Sequence, residues 1–203
     1  MIAEIKKKYK VNFPDYVWKS LIEKARQEAR LRMTLNAENG SYVKGTEGYR
    51  ENDEEIQFYG CLGELIHMFH YNQMVEQGII KEEHKPIFYP AVDTQPVNGV
   101  DALINHTKRD VKCNNKYWTS SDTGFKGRQK KIQVNCKSHQ NISKTADEYH
   151  FVKADATAYE ADIYVVPTKQ VGNWEKKIGH TPYYEAEIPE GLLYDEDKEN
   201  KEK

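Results

Sequence analysis

Asp101 and Asp110 stand nine positions apart in the stretch Pro96–Cys113, PVNGVDALINHTKRDVKC, and this spacing constrains the chain more than any other feature. The stretch reads as two short strands, Gly99 to Ile104 and Arg109 to Cys113, joined by a polar turn through Asn105 to Lys108. Alternation along the second strand sends Asp110 and Lys112 to one face, and Val111 and Cys113 to the other. Asp101 falls near the start of the first strand, so a hairpin gathers all three polar groups at one edge of a sheet. Two carboxylates and an ammonium in that position suit a divalent cation and the attack of water on a phosphodiester.

An acid-x-Lys triplet alone says little. The chain contains six, starting at Glu4, Glu83, Asp110, Glu175, Glu196 and Glu199, against a background of 32 acids and 30 Lys plus Arg. Four of the other five have a polar middle residue, unlike an interior strand. Glu4-Ile5-Lys6 has no room upstream for a partner carboxylate. Only Asp110 follows a strand that carries an Asp. The competing interpretation is a surface hairpin with an ordinary Asp–Lys pair, which would add little stability.

The flanking sequence favours a site. From Glu54 to about Met74 the spacing of Ile56, Tyr59, Leu62, Ile66 and Phe69 predicts a helix. Gly60 and Gly63 lie inside it, each costing roughly 1 kcal/mol relative to Ala, which points to close packing against another backbone. Glu64, one turn beyond Gly60, is then presented toward whatever the helix covers. Downstream, Lys131–Cys136 alternates, placing Ile132, Val134 and Cys136 on one face. A short polar segment follows, and then Glu148–Lys153 and Ala161–Val166, both rich in strand formers.

Helix, strand, strand, strand, short connection, strand, with Asp101, Asp110-Val111-Lys112 and Gly60-Cys-Leu-Gly-Glu64 in these positions, resembles the PD-(D/E)XK nucleases. The likeness covers roughly residues 54 to 166 and is similar to small phage and bacterial members. The sequence departs at Val100, where a proline often precedes the first Asp. The resemblance implies an α/β fold, a mixed central β-sheet flanked by helices with a restriction-endonuclease-like core. It also implies that Glu64, Asp101 and Asp110, with the backbone carbonyl of Val111, bind Mg²⁺ or Mn²⁺. Hard oxygen donors match that choice. Lys112 would orient and help deprotonate water, or stabilise charge on the phosphate. Gln133 or Gln140 would assist. The expected activity is a deoxyribonuclease leaving 5′-phosphates, an endonuclease by first preference. The alternative is a nucleic-acid-binding accessory protein that keeps the fold without turnover.

The net charge of −2 does not advertise a DNA partner, but its distribution does. Between Asp122 and Asp147 there is no acid, while Lys126, Arg128, Lys130, Lys131, Lys137 and Lys144 all lie there. Lys116, Tyr117 and Trp118 precede them. Such a segment suits phosphate tracking with a base stacked on Trp118. The competing interpretation is a solvated loop anchored by Trp118.

At 203 residues the chain is expected to form one domain over residues 1–194, with a disordered charged tail over 195–203. An apolar stripe of Val17, Leu21, Ala25, Ala29 and Met33 predicts an N-terminal helix over about 15–35. Residues 36–52 and 86–96 read as long loops. No apolar run approaches a membrane span, and the first ten residues lack a signal-peptide core. Three cysteines without Cys-x-x-Cys spacing suggest reduced thiols in a cytoplasmic protein. His67 and His70 with Cys61 lack a second ligand pair for structural zinc, and His67 reads as a polar neighbour of Glu64. A homodimer would be the simple route to a double-strand cut.

Overall fold

Strand-forming segments assemble a six-stranded mixed sheet in the order β1-β7-β6-β4-β3-β2. Its members are β1 (Lys7–Asn12), β2 (Ile87–Phe88), β3 (Ala102–Ile104), β4 (Thr107–Cys113), β6 (Glu148–Asp155) and β7 (Glu160–Pro167). A second sheet of three strands, β5-β9-β8, is formed by β5 (Lys131–Asn135), β8 (Glu175–Lys177) and β9 (Tyr183–Glu187). The computed structural model describes residues 1–38, 54–81, 87–88, 100–113, 131–155, 159–178 and 182–195. The pair β4–β6 is parallel and the other pairings in the large sheet are antiparallel. A parallel pair needs a crossover, and the chain between β4 and β6 carries β5 and a helix, Cys136–Ile142.

The alternation of β4 and β6 sorts the residues into two cores. Val111 and Val152 face two long helices, α1 (Asp15–Glu38) and α2 (Glu54–Glu76), and join a cluster with Val11, Ala25, Ala29, Leu62 and Ile66. Tyr149 and Phe151 face the other way, against Ile132, Val134, Ala186 and Trp174 of the three-stranded layer. The helices therefore flank one face of the mixed sheet, and the smaller sheet covers part of the other. That second layer was not among the expectations from sequence.

Helix α1 follows its predicted stripe and runs three residues further, to Glu38. Helix α2 follows its predicted span but not the predicted stripe, for Ile56 is 42% exposed. From Cys61 to Tyr71 nearly every side chain is buried, polar ones included, because α2 is sandwiched between α1 and the sheet. A helix covered on both sides loses the one-sided pattern of a surface helix.

Three expected boundaries move. The predicted four-residue turn is a two-residue one, Asn105-His106, with φ of 45° and 66°. That left-handed pair matches the twist of a tight hairpin, and Asn and His tolerate it better than most residues. Consequently β4 starts at Thr107 and β3 is confined to Ala102–Ile104. The alternating segment ends at Asn135, whose side chain accepts from the N–H groups of Lys137 and Ser138 at 2.8 and 3.2 Å. This N-cap converts Cys136 and the following polar segment into the Cys136–Ile142 helix. Asp195, the head of the charged tail, accepts a hydrogen bond from the Lys8 N–H at 2.7 Å. The rest of the tail lies outside the described residues. No helix among the described residues is long and apolar enough to cross a membrane.

Candidate active site

The tight turn fixes which residues face each other. Ile104 pairs with Thr107, Leu103 with Lys108 and Ala102 with Arg109. Asp101 lies one residue past the last of these pairs, and its N–H donates to the Arg109 carbonyl at 2.9 Å. The two acids are near enough for Asp101 to push the Asp110 carboxyl up. Beyond Ala102 the regular ladder stops, and the Asp101 carboxylate takes over the bond that a further strand residue would make. Its Oδ2 accepts from the Val111 N–H at 2.6 Å.

Alternation sends Asp110 and Lys112 to the same face, as their spacing predicts, and they form an ion pair at 2.6 Å. The Asp110 side chain is buried and Lys112 is partly exposed. Val111 points the other way, into the core beneath the helices. Its side chain serves packing, which leaves only its backbone for chemistry.

Glu64 enters from α2. The approach of that helix is set by Gly63, where an added Cβ would stand 2.8 Å from the Cys113 Cβ. Gly60 is not equally confined, since its added Cβ would meet only the Arg32 Nη1, at 3.6 Å. Glu64 is ion-paired with Arg32 of α1, a residue with no place in the expected site. Arg32 lies three positions after Ala29 on a helix face where Ala25 and Ala29 are fully buried. A charged residue so close to an apolar stripe is a sequence signal, but without a visible partner it reads as the stripe's edge.

These groups sense one another. Burial, and then Asp101, push the Glu64 carboxyl up to about 7 against the pull of Arg32. Burial also pushes Asp110 up to about 7, with Lys112 opposing and Asp101 reinforcing the shift. Asp101 is raised by burial too, although Lys112 and the Val111 N–H favour its charge. Burial works against the charge of Lys112, but Asp110, Asp101 and Glu64 together outweigh it and raise its pKa. One ammonium thus lies within electrostatic reach of three carboxyl groups, the local field expected of a cation site.

The donors fit a hard divalent ion in kind: three carboxyl groups and the Val111 carbonyl. As they stand, each carboxylate is held by its own partner: Glu64 by Arg32, Asp110 by Lys112, and Asp101 by the Val111 N–H. Among the described residues, no group of three or more His, Cys, Asp or Glu side chains is gathered to enclose an ion. Ligation by all three acids would need at least Arg32 or Lys112 to yield.

Of the expected DNA contacts, Lys116, Trp118, Lys126, Arg128 and Lys130 lie outside the described residues. Lys131 is in β5, where its Nζ pairs with Glu185 at 2.8 Å. Gln133 donates to the same carboxylate at 2.6 Å, so both residues are engaged on the second sheet. Gln140 is on the Cys136–Ile142 helix. His67 stands edge-on to His150, with ring centroids 4.7 Å apart. No protein-family model, curated protein or solved structure matches this chain.

Proposed function

We propose that the chain is a Mg²⁺- or Mn²⁺-dependent deoxyribonuclease whose active site is Asp101, Asp110, Lys112 and Glu64, built on a restriction-endonuclease-like core. The observation that carries the reading is the hairpin register. It brings Asp101, just past the ladder, against the strand of Asp110, with its carboxylate on the Val111 N–H, and Lys112 is paired with Asp110 on the same face. The order of α2, the meander β2-β3-β4, a short helix and β6 parallel to β4 supports it, although β5, expected as the third core strand, lies in the second sheet.

In this reading Asp101, Asp110, Glu64 and the Val111 carbonyl hold the cation. When bound, such an ion acidifies water and offsets charge on the phosphate. Lys112 has two partners in turn: it neutralises Asp110 at rest, and donates to the attacking water or a phosphate oxygen once substrate is present. Arg32 likewise holds Glu64 in place and screens its charge from Asp101. Phosphate backbone contact would come from the acid-free basic segment between Asp122 and Asp147.

The test is incubation with supercoiled plasmid under Mg²⁺ or Mn²⁺, with an EDTA control, beside calorimetric titration of the protein with Mn²⁺. The reading expects metal-dependent nicking or linearisation and saturable Mn²⁺ binding that Asp110→Ala removes. Saturable Mn²⁺ binding without cleavage of plasmid, branched or linear DNA would favour the accessory-protein alternative.

A further inference from the structure

On the opposite face of β4 from Asp110, a cavity of about 190 Å³ opens between the sheet and α2. His67 and His70 line it from α2, Arg109 from β4, His150 from β6, and Lys6 and Lys7 stand at the end of β1. Neither Arg109 nor these histidines belong to the hairpin site.

The lining is cationic and incompletely satisfied. Its one acid, Glu148, is paired with Lys6 at 3.0 Å and stands 3.5 Å from the His150 Nε2. Among the described residues this leaves Lys7 and Arg109 without an ion-pair partner. The Nε of Arg109 and the Nε2 of His70 are both buried with no hydrogen-bond partner, and His70 is only 7% exposed. Its ring is instead fixed by Tyr9, with centroids 4.8 Å apart. A buried guanidinium nitrogen and a buried imidazole nitrogen are costly to leave unpaired. Both line one cavity and both can donate, so the missing partner has the chemistry of an acceptor with negative charge.

Size narrows the class. The cavity holds the volume of roughly six waters, below the roughly 300–1,000 Å³ of sites for drug-sized ligands. Guanidinium and ammonium groups match the several oxygens of a phosphate.

We propose that this cavity is a phosphate-binding site that takes inorganic phosphate, or the phosphate of a small monoester, between Arg109, His70 and Lys7. Lys7, an exposed residue, guides the anion inward. Arg109 and His70 receive it. The site is independent of the nuclease reading, since none of Lys7, His70 and Arg109 belongs to the proposed active site.

The experiment is a titration of the full chain with inorganic phosphate, and separately with methyl phosphate, at constant ionic strength set with chloride. The histidine ring resonances are followed by NMR. Saturable shifts of His67, His70 and His150, with exposed His106 unmoved, are expected from one or both ligands, and which of them saturates identifies free ion or ester. Arg109→Met should weaken binding by at least about tenfold. Should that variant not fold, Lys7→Gln changes an exposed mouth residue and should weaken binding roughly threefold. Linear, unsaturated shifts, or shifts of equal size at His106, would overturn the proposal. So would unchanged affinity in the variant that folds.

Discussion

Arg109 and Asp110 are neighbours in sequence but belong to different chemistry, because a strand sends adjacent side chains to opposite faces. At the hairpin site acid meets base: Asp110 with Lys112 at 2.6 Å on β4, and Glu64 of α2 with Arg32 of α1. On the Arg109 face, three buried histidines and a half-buried guanidinium line a cavity with one acid that is already paired. The difference teaches that burial alone does not mark a site. What separates the two regions is which charges have been compensated from within the chain.

The largest expected effect is on the hairpin face. Lys112→Ala should fold, keep Mn²⁺ binding and reduce DNA cleavage by roughly 10²- to 10⁴-fold, the usual cost of losing an acid–base or positioning group. Cleavage within a few-fold of the parent protein would make the Asp110–Lys112 pair an ordinary ion pair and erase the contrast between the faces.

Arg32→Met asks whether compensation within the chain is what holds Glu64. Removing one partner of a buried pair costs about 3–5 kcal/mol. The lower end applies here, because the Glu64 side chain is 20% exposed. Chemical denaturation in EDTA should show that loss, and Mn²⁺ should recover part of it. A variant as stable as the parent would mean that water already screens Glu64.

The faces should also pull stability in opposite directions with pH. Burial lowers His70 and His150 to about 4, while the unfolded chain takes up their protons near 6.5. Between about 4 and 6.5 the unfolded state binds more protons, so this term raises stability as pH rises. Glu64 and Asp110 are raised to about 7. From their ordinary range near 4 up to about 7 the folded state holds more protons, so this term lowers stability as pH rises. In EDTA, His70→Phe should flatten the rising term and Glu64→Gln the falling one, each by on the order of 1–3 kcal/mol across its window. Denaturation from pH 4 to 8 measures both, and identical pH slopes in the two variants would contradict the assignment.

How much of this was legible in the sequence follows from the range of the contacts. The hairpin was legible because its partners are local: alternation and a polar turn bring Asp101, Asp110 and Lys112 near one another, but the two-residue turn that sets the register carries no such signal. Helix α2 was legible as a helix, though its buried middle hid the face it presents. The Lys-rich start of β1 concealed a strand in which only Tyr9 and Val11 are buried. The three-stranded layer joins β5 to strands some 50 residues away. The histidine cavity brings together α2 and β6, and Arg32 meets Glu64 between two helices. No local pattern encodes those meetings.

The smallest effects distinguish the two glycines of α2, which look alike in sequence. Gly63→Ala forces a Cβ against Cys113 and should destabilise by about 1–3 kcal/mol. Gly60→Ala meets only ordinary contact and should gain up to about 1 kcal/mol from helix propensity. Thermal melts of the two variants report the difference, and equal losses would mean that both positions touch the sheet.

If the hairpin site of Asp101, Asp110 and Lys112 is where DNA is cut, loss of Asp110 should abolish cleavage without unfolding the protein. The most direct measurement compares the parent protein and Asp110→Ala on supercoiled plasmid across a Mn²⁺ titration, with folding of both checked by circular dichroism. Metal-dependent cleavage is expected from the parent, and none above background from a folded Asp110→Ala at any Mn²⁺ concentration. Equal cleavage by both proteins would contradict it.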